Sequence, residues 1–276
     1  MPTTFTRRRL LGVAASIVAT RSVGRAAPGP ATRRRARHPA HFVLVHGAWH
    51  GAWCWYRIAA GLEAAGHRVT ALDLPAGGID GTAAPTVTLQ AQADRVIALL
   101  DTLTTPVVLV GHSAGGPVVS TVAEARPGKV AKLVYVSAYL LTNGGSIVAA
   151  AADDPDSLVT PNLVATPAGT LTVRDDAVRD VFYGLCDDAD VALARSLLKP
   201  IGALPTIGQV AVGSAFESVR RFYVSCRRDR AVTPALQRTM YTALPCEKVF
   251  TLNADHSPFF SRPAALLRAF DAIARA

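Results

Sequence analysis

From residue 41 onward the chain alternates two hydrophobic patterns. Short apolar runs occupy 41–45, 68–72, 107–110, 130–136, 221–225 and 248–252. They are rich in valine, leucine and phenylalanine and largely continuous, as expected of strands covered on both faces. Between them, stretches at 53–65, 89–103, 117–125, 234–244 and 263–275 repeat apolar residues at helical intervals. Strands alternating with helices predict an α/β domain: a mostly parallel central sheet with helices on both faces. Residues of about 140–215 break the rhythm with Gly, Pro and Asp clusters and two helix-like stretches, near 174–183 and 188–198. An insertion there is expected to form a mainly helical cap over the sheet edge. Its apolar members Leu158, Val159, Leu163, Phe182, Tyr183, Leu197 and Leu198 are candidates either for the cap's own core or for a pocket lining.

Charge changes the reading of the first residues only. The 276-residue chain carries a formal net charge of +9. Residues 1–39 hold nine arginines and no acid, which leaves 20 basic against 20 acidic residues from residue 40 onward. The body therefore has no net-charge reason to bind nucleic acid or an anionic membrane. The segment Thr6-Arg7-Arg8-Arg9-Leu10-Leu11 resembles a twin-arginine export signal, followed by a weakly apolar run and a small-x-small site at Gly24-Arg25-Ala26. The expected organisation is an export leader and flexible basic lead-in over 1–39, then one domain over 40–276, with the product exported to the periplasm or beyond. The apolar run is too short to anchor the chain in a bilayer. Cys54, Cys186, Cys226 and Cys246 show neither metal-ligand spacing nor a preferred disulfide pairing, and Cys54 and Cys226 read as small core residues.

The candidate chemistry centres on Gly111-His112-Ser113-Ala114-Gly115, which follows the run at 107–110 and precedes a helix-like stretch. A strand, a tight glycine-flanked turn and a helix are the context of a nucleophile elbow, which lifts a serine hydroxyl off the sheet edge. A serine needs a base and an orienting acid. His256, just after the last strand, is the best base among seven histidines. Asp229, after the strand at 221–225, is the best acid and keeps the order Ser, Asp, His. Asp255 is too close in sequence to His256 to orient its ring, and Asp73 precedes the serine. The loop His46-Gly47-Ala48-Trp49-His50-Gly51 follows the first strand, so the backbone N–H groups of Ala48 and Ala114 are the expected oxyanion donors. Gly47, Trp49 and Ser257 are candidate pocket residues. No metal or cofactor is called for.

These pieces support a family resemblance. HFVLVHGAWHGAWCWYRIAAGLEAAGHRVTALDLPAGG, VVLVGHSAGG, LCDDADVALARSLLKP and VSCRRDRAVTPALQRTM resemble the plant methylesterase and hydroxynitrile lyase branch of the α/β-hydrolase superfamily. ADHSPFF is similar to the histidine loop of bacterial carboxylesterases that include pyrethroid hydrolases. The resemblance implies an α/β-hydrolase fold and maps the family's nucleophile, acid and base onto Ser113, Asp229 and His256, with one oxyanion amide on Ala48. The lyases of this branch carry a threonine after the oxyanion-loop histidine and a lysine after the catalytic histidine, where this chain has Gly47 and Ser257. The expected activity is therefore hydrolysis of small to medium apolar or aromatic esters, methyl esters among them, through an acyl-enzyme. The alternatives are a lyase and a non-catalytic ligand-binding member of the same fold. The expected partner is a small-molecule ester, and a homodimer is compatible with the sequence.

Overall fold

The computed structural model describes residues 39–276; the expected export leader and its cleavage site lie outside the described residues. Six strands form one sheet: β1 (His41–Val45), β2 (Arg68–Leu72), β3 (Val107–His112), β4 (Val130–Val136), then β7 (Arg221–Cys226) and β8 (Lys248–Leu252). Their order is β2-β1-β3-β4-β7-β8, and every pairing is parallel. The apolar runs foretold these strands closely; β3 continues two residues further, through Gly111 and His112. The residues of β1 and β3 are all buried, whereas β2 and β8 are partly exposed. That difference explains why Arg68, Thr70, Lys248 and Thr251 are tolerated there, on edge strands that charged and polar side chains protect from pairing with other chains.

Alternate residues of β1 feed two core layers. Phe42 and Leu44 pack on one face with Trp55, Phe270 and Ile273, while Val43 and Val45 pack on the other with Val96, Leu100, Val119 and Val122. The first layer rests on helices Tyr56–Ala64 and Pro263–Arg275, the second on Leu89–Asp101 and Gly115–Ala125. The chain runs outward from β1 to β2, then crosses back to β3 and continues the other way. The loops after β1 and β3 thus part at a topological switch point, where open α/β sheets place ligands.

Between β4 and β7 lies the expected cap, with short helices at Ile147–Ala152, Val178–Phe182, Asp188–Leu197, Leu204–Ile207 and Ser214–Glu217. It also contains an antiparallel hairpin, β5 (Leu163–Ala165) and β6 (Leu171–Val173), absent from the sequence expectation. Three-residue strands are too short to show a period. All four cysteines are free thiols, and Cys54 and Cys226 are fully buried.

Candidate active site

Ser113 sits at the end of β3 with φ of 52°, a left-handed conformation that non-glycine residues rarely adopt. The turn is held from both sides: Ser113 N–H donates to Val136 O (3.2 Å), while Ser113 O accepts from Gly116 N–H (3.0 Å) and Tyr139 N–H (3.1 Å). Gly47 belongs to the same junction. A Cβ there would stand 2.7 Å from Ser113 Cβ and 3.1 Å from His112 Nδ1, so the loop after β1 reaches the serine only as glycine. Neither the Ala48 nor the Ala114 N–H donates to a protein acceptor among the described residues.

Asp229 follows β7 and His256 follows β8. His256 Nδ1 and Asp229 Oδ2 are 2.9 Å apart, with both side chains sealed from solvent. Asp229 Oδ1 accepts from the N–H groups of Ala231 (2.8 Å) and Val232 (3.0 Å), and Oδ2 accepts a further bond from Gln237 Nε2 (3.0 Å). Every acceptor position of the carboxylate is used. With Nδ1 donating to Asp229, the His256 Nε2 lone pair is free. His112, next to Ser113, donates from Nε2 to His256 O (2.9 Å), and the two rings lie 4.7 Å apart. The elbow and the histidine loop are therefore joined directly.

Sequence reasoning missed several buried side chains that hold this arrangement. His46 accepts from Leu74 N–H at Nε2 (3.0 Å) and donates from Nδ1 to Gly47 O (2.8 Å). His50 bonds Ala48 O through Nδ1 (2.7 Å) and accepts at Nε2 from the Tyr183 hydroxyl of the cap (2.7 Å). Anchoring the Ala48 carbonyl fixes the rest of its peptide plane and the loop around it. Burial lowers the pKa of His46, pushes that of His50 down to about 3 and that of His112 well below the usual value, so all three are neutral. Gln237 was missed because one polar residue on the inner face of a helix resembles a lapse in the apolar pattern. Asp255 serves differently from Asp229. Its Oδ2 accepts from Leu185 N–H (2.8 Å), and its Oδ1 accepts from Ser257 N–H (3.1 Å) and Ser261 Oγ (2.6 Å).

A cavity of about 300 Å³ opens beside the serine, lined by Ser113, Ala48, Trp49, Ala114, Tyr139, Phe182 and cap residues such as Ile147, Val159, Leu163 and Ile201. None of its lining side chains is charged. A recess of about 40 Å³ shares Ala48, Trp49, Ala114, Ile201 and Thr206 with it and reaches back past Gly47 toward Leu74 and Val87. Trp49 lines the large cavity, and so do Val159, Leu163 and Phe182, for which the sequence left cap core and pocket lining both open; Gly47 lines only the recess. Ser257 does not line either: its backbone is drawn to Asp255 and its side chain is fully buried, which corrects the expectation of a pocket role. Leu158 and Tyr183 face the core of the first layer instead.

The parallel sheet, the left-handed serine turn and the Asp–His pair at one edge define an α/β-hydrolase. The model of the alpha/beta hydrolase family matches residues 42–269, and the chain belongs to that family, in its methylesterase-like branch. Methylesterase 17 of Arabidopsis thaliana is 31% identical over 84% of this chain and 90% of its own length. The putative chloroplastic methylesterase 11 of the same plant is 35% identical over 85% of this chain. The chain spans between about half and two thirds of the length of that protein and of chloroplastic methylesterases 15 and 13 (64%, 55% and 54%). Among solved structures, tomato methylketone synthase I complexed with 2-tridecanone superposes with a TM-score of 0.78 at 28% identity, covering 86% of this chain and 98% of that one. A pyrethroid hydrolase from Sphingobium faniae JZ-2 gives 0.75 at 25% identity, over 86% and 98%.

Proposed function

We propose that the protein is a serine carboxylesterase for neutral apolar or aromatic esters. The observation that carries this reading is the fully satisfied Asp229–His256 pair, tied through His112 to the left-handed Ser113. In the proposed reaction Ser113 Oγ attacks the ester carbonyl carbon and passes its proton to His256 Nε2. Asp229 stabilises the imidazolium that forms. The N–H groups of Ala48 and Ala114 hold the oxyanion, each worth about 3–4 kcal/mol in the transition state. His256 returns the proton to the leaving alcohol, then takes one from a water that attacks the acyl-serine; it passes that proton to Ser113 Oγ as the serine–acyl bond breaks, and the acid is released.

The absence of charged groups on the cavity wall favours an uncharged substrate, since an unpaired charge buried there would go unsolvated. The large chamber suits the bulkier half of the ester. The recess beside the oxyanion loop suits a group of a few heavy atoms, such as a methyl or ethyl alkoxy group. The names of the methylesterase relatives agree with a small alcohol. Ser257 stands where the lyases carry the lysine that would stabilise leaving cyanide, and Gly47 where they carry a threonine, so mandelonitrile should not be cleaved. The test is a panel of p-nitrophenyl and methyl esters with wild type and Ser113→Ala, alongside phosphonate labelling. Labelling at Ser113 and loss of turnover in the variant are expected; turnover that survives in Ser113→Ala overturns the reading.

A further inference from the structure

Tyr139 stands out on the chamber wall. It follows β4 in the turn that accommodates the elbow, and its own N–H is fixed on Ser113 O (3.1 Å). The backbone cannot retreat, because Gly116 packs so closely that a Cβ on it would stand 2.1 Å from Tyr139 O. The side chain is 7% exposed and lines the chamber with Ser113. Buried tyrosine hydroxyls ordinarily find a partner. Those of Tyr135, Tyr183 and Tyr223 bond Ser120, His50 and Ala138 O, respectively. The Tyr139 hydroxyl has no such bond among the described residues, and it is not one of the sealed, unpartnered buried atoms. Its free valence therefore faces the chamber.

The other polar side chains of the chamber are already occupied or peripheral. Thr206 donates its proton to Ala203 O (2.7 Å), and Thr160 lies at the exposed mouth. Burial and the nearby carboxylates of Asp154 and Asp229 raise the Tyr139 pKa, so the phenol keeps its proton and acts as a donor. The same carboxylates oppose an anionic ligand at this point.

We propose that the Tyr139 hydroxyl is a specificity-determining donor, and that the preferred ester carries one neutral acceptor oxygen, a ketone or an ether, on the part of its apolar body that fills the chamber. The inference rests on the esterase reading for its substrate. A site that hydrogen-bonds a substrate acceptor discriminates against the analogue lacking it, because the buried donor is otherwise left unpaired.

The test compares methyl hexanoate with its 4-oxo and 5-oxo derivatives, hydrolysis followed by acid release, on wild type and Tyr139→Phe. Wild type is expected to prefer at least one oxo ester. Tyr139→Phe should lower kcat/KM for that ester about tenfold more than for hexanoate. Equal losses on all three esters, or no loss on any, overturn the proposal while leaving the esterase reading standing. A second arm needs no turnover: acetophenone and ethylbenzene are titrated calorimetrically onto Ser113→Ala protein with and without Tyr139→Phe. Acetophenone alone should bind more weakly, again by about tenfold, when the hydroxyl is removed. That outcome with no ester cleaved by wild type would sink the esterase reading and keep the donor; acetophenone binding that ignores the substitution sinks the donor.

Discussion

Replacing His50 separates the oxyanion loop from the residues that chemistry needs directly. The imidazole is 1% exposed and makes two bonds of 2.7 Å, one to Ala48 O and one from the Tyr183 hydroxyl. His50→Leu fills similar space and makes neither. Ala48 O and the Tyr183 hydroxyl are then left unpaired in the interior, at about 1–3 kcal/mol each. A loss of ~2–6 kcal/mol is large against the ~5–15 kcal/mol typical of a whole domain. The freed Ala48 carbonyl lets its loop drift, so the neighbouring oxyanion donor loses its aim. Removing one such donor outright costs about 10²–10³ in kcat, which sets the ceiling; a fall of about 10² is expected, with KM little changed. His50→Asn places an amide nitrogen where Nδ1 was and keeps the bond to Ala48, so it should lose stability but hold kcat within about tenfold of wild type. Tyr183→Phe likewise keeps the Ala48 bond and should cost stability more than kcat. The assays are saturating p-nitrophenyl butyrate turnover, phosphonate inactivation rate and guanidinium unfolding of all four proteins. If His50→Leu and His50→Asn share one kcat, or if Tyr183→Phe is as slow as His50→Leu, the ring does not aim the loop.

Gly47→Ala should lower kcat and the phosphonate rate by about 10², since the added methyl would meet Ser113 Cβ at 2.7 Å and move the nucleophile; unchanged phosphonate labelling would contradict this. Asp229→Asn should keep the fold but lower kcat about 10⁴-fold, because the amide favours the wrong His256 tautomer; kinetics with unfolding curves check both halves. Acid should unfold the domain through His46, His50 and His112. Their folded pKa values are lowered, so the unfolded chain takes up protons first. Stability is complete above the ordinary value near 6.5 and is lost as pH falls below it, toward about 3 for His50. Each contributes up to ~1.4 kcal/mol per pH unit. Unfolding free energy that stays flat from pH 6.5 to 5 refutes the neutral assignment, and His50→Asn should flatten the slope by about one proton.

How much of this was legible in the sequence depended on whether a residue's role is local. The buried strands were legible because continuous Val and Leu runs suit a sheet covered on both faces. The placement of Ser113, Asp229 and His256 at one edge was legible because each follows a strand and the carboxyl ends of parallel strands share that edge. Gly47 could be read as a departure from a lyase pattern, but its reason is spatial: a distant serine occupies the space of its side chain. Tyr183, Gln237 and Asp255 act through partners up to 133 residues away, and no periodicity marks them. The β5–β6 hairpin failed for the opposite reason, being local but too short to have a pattern. Ser257 was misjudged because sequence adjacency to His256 does not fix which way a side chain turns.

Those distant partners also determine how the cap can behave. It is bonded to three of the four loops that carry the candidate chemistry, all but the Ser113 turn. The oxyanion loop is held by Tyr183 on His50, by Lys199 N–H on Trp49 O (2.9 Å) and by Trp49 Nε1 on Leu171 O (3.0 Å). The acid loop is held by Ser157 Oγ on Ala231 O (2.7 Å), by Leu158 N–H on Arg230 O (2.8 Å) and by Asp154, which accepts from Thr233 N–H (2.9 Å). The histidine loop is held by Leu185 N–H on Asp255. A cap lifting as one body would break these buried bonds together and release Ala48, Asp229 and His256 from their positions, at several times the ~1 kcal/mol net worth of a single bond. Opening is cheapest where such ties are missing and apolar side chains are already exposed, at Val148 in the helix Ile147–Ala152 and at Leu204 and Ile207 in the helix Leu204–Ile207. Val148 lines the chamber, as does Thr206 between the other two.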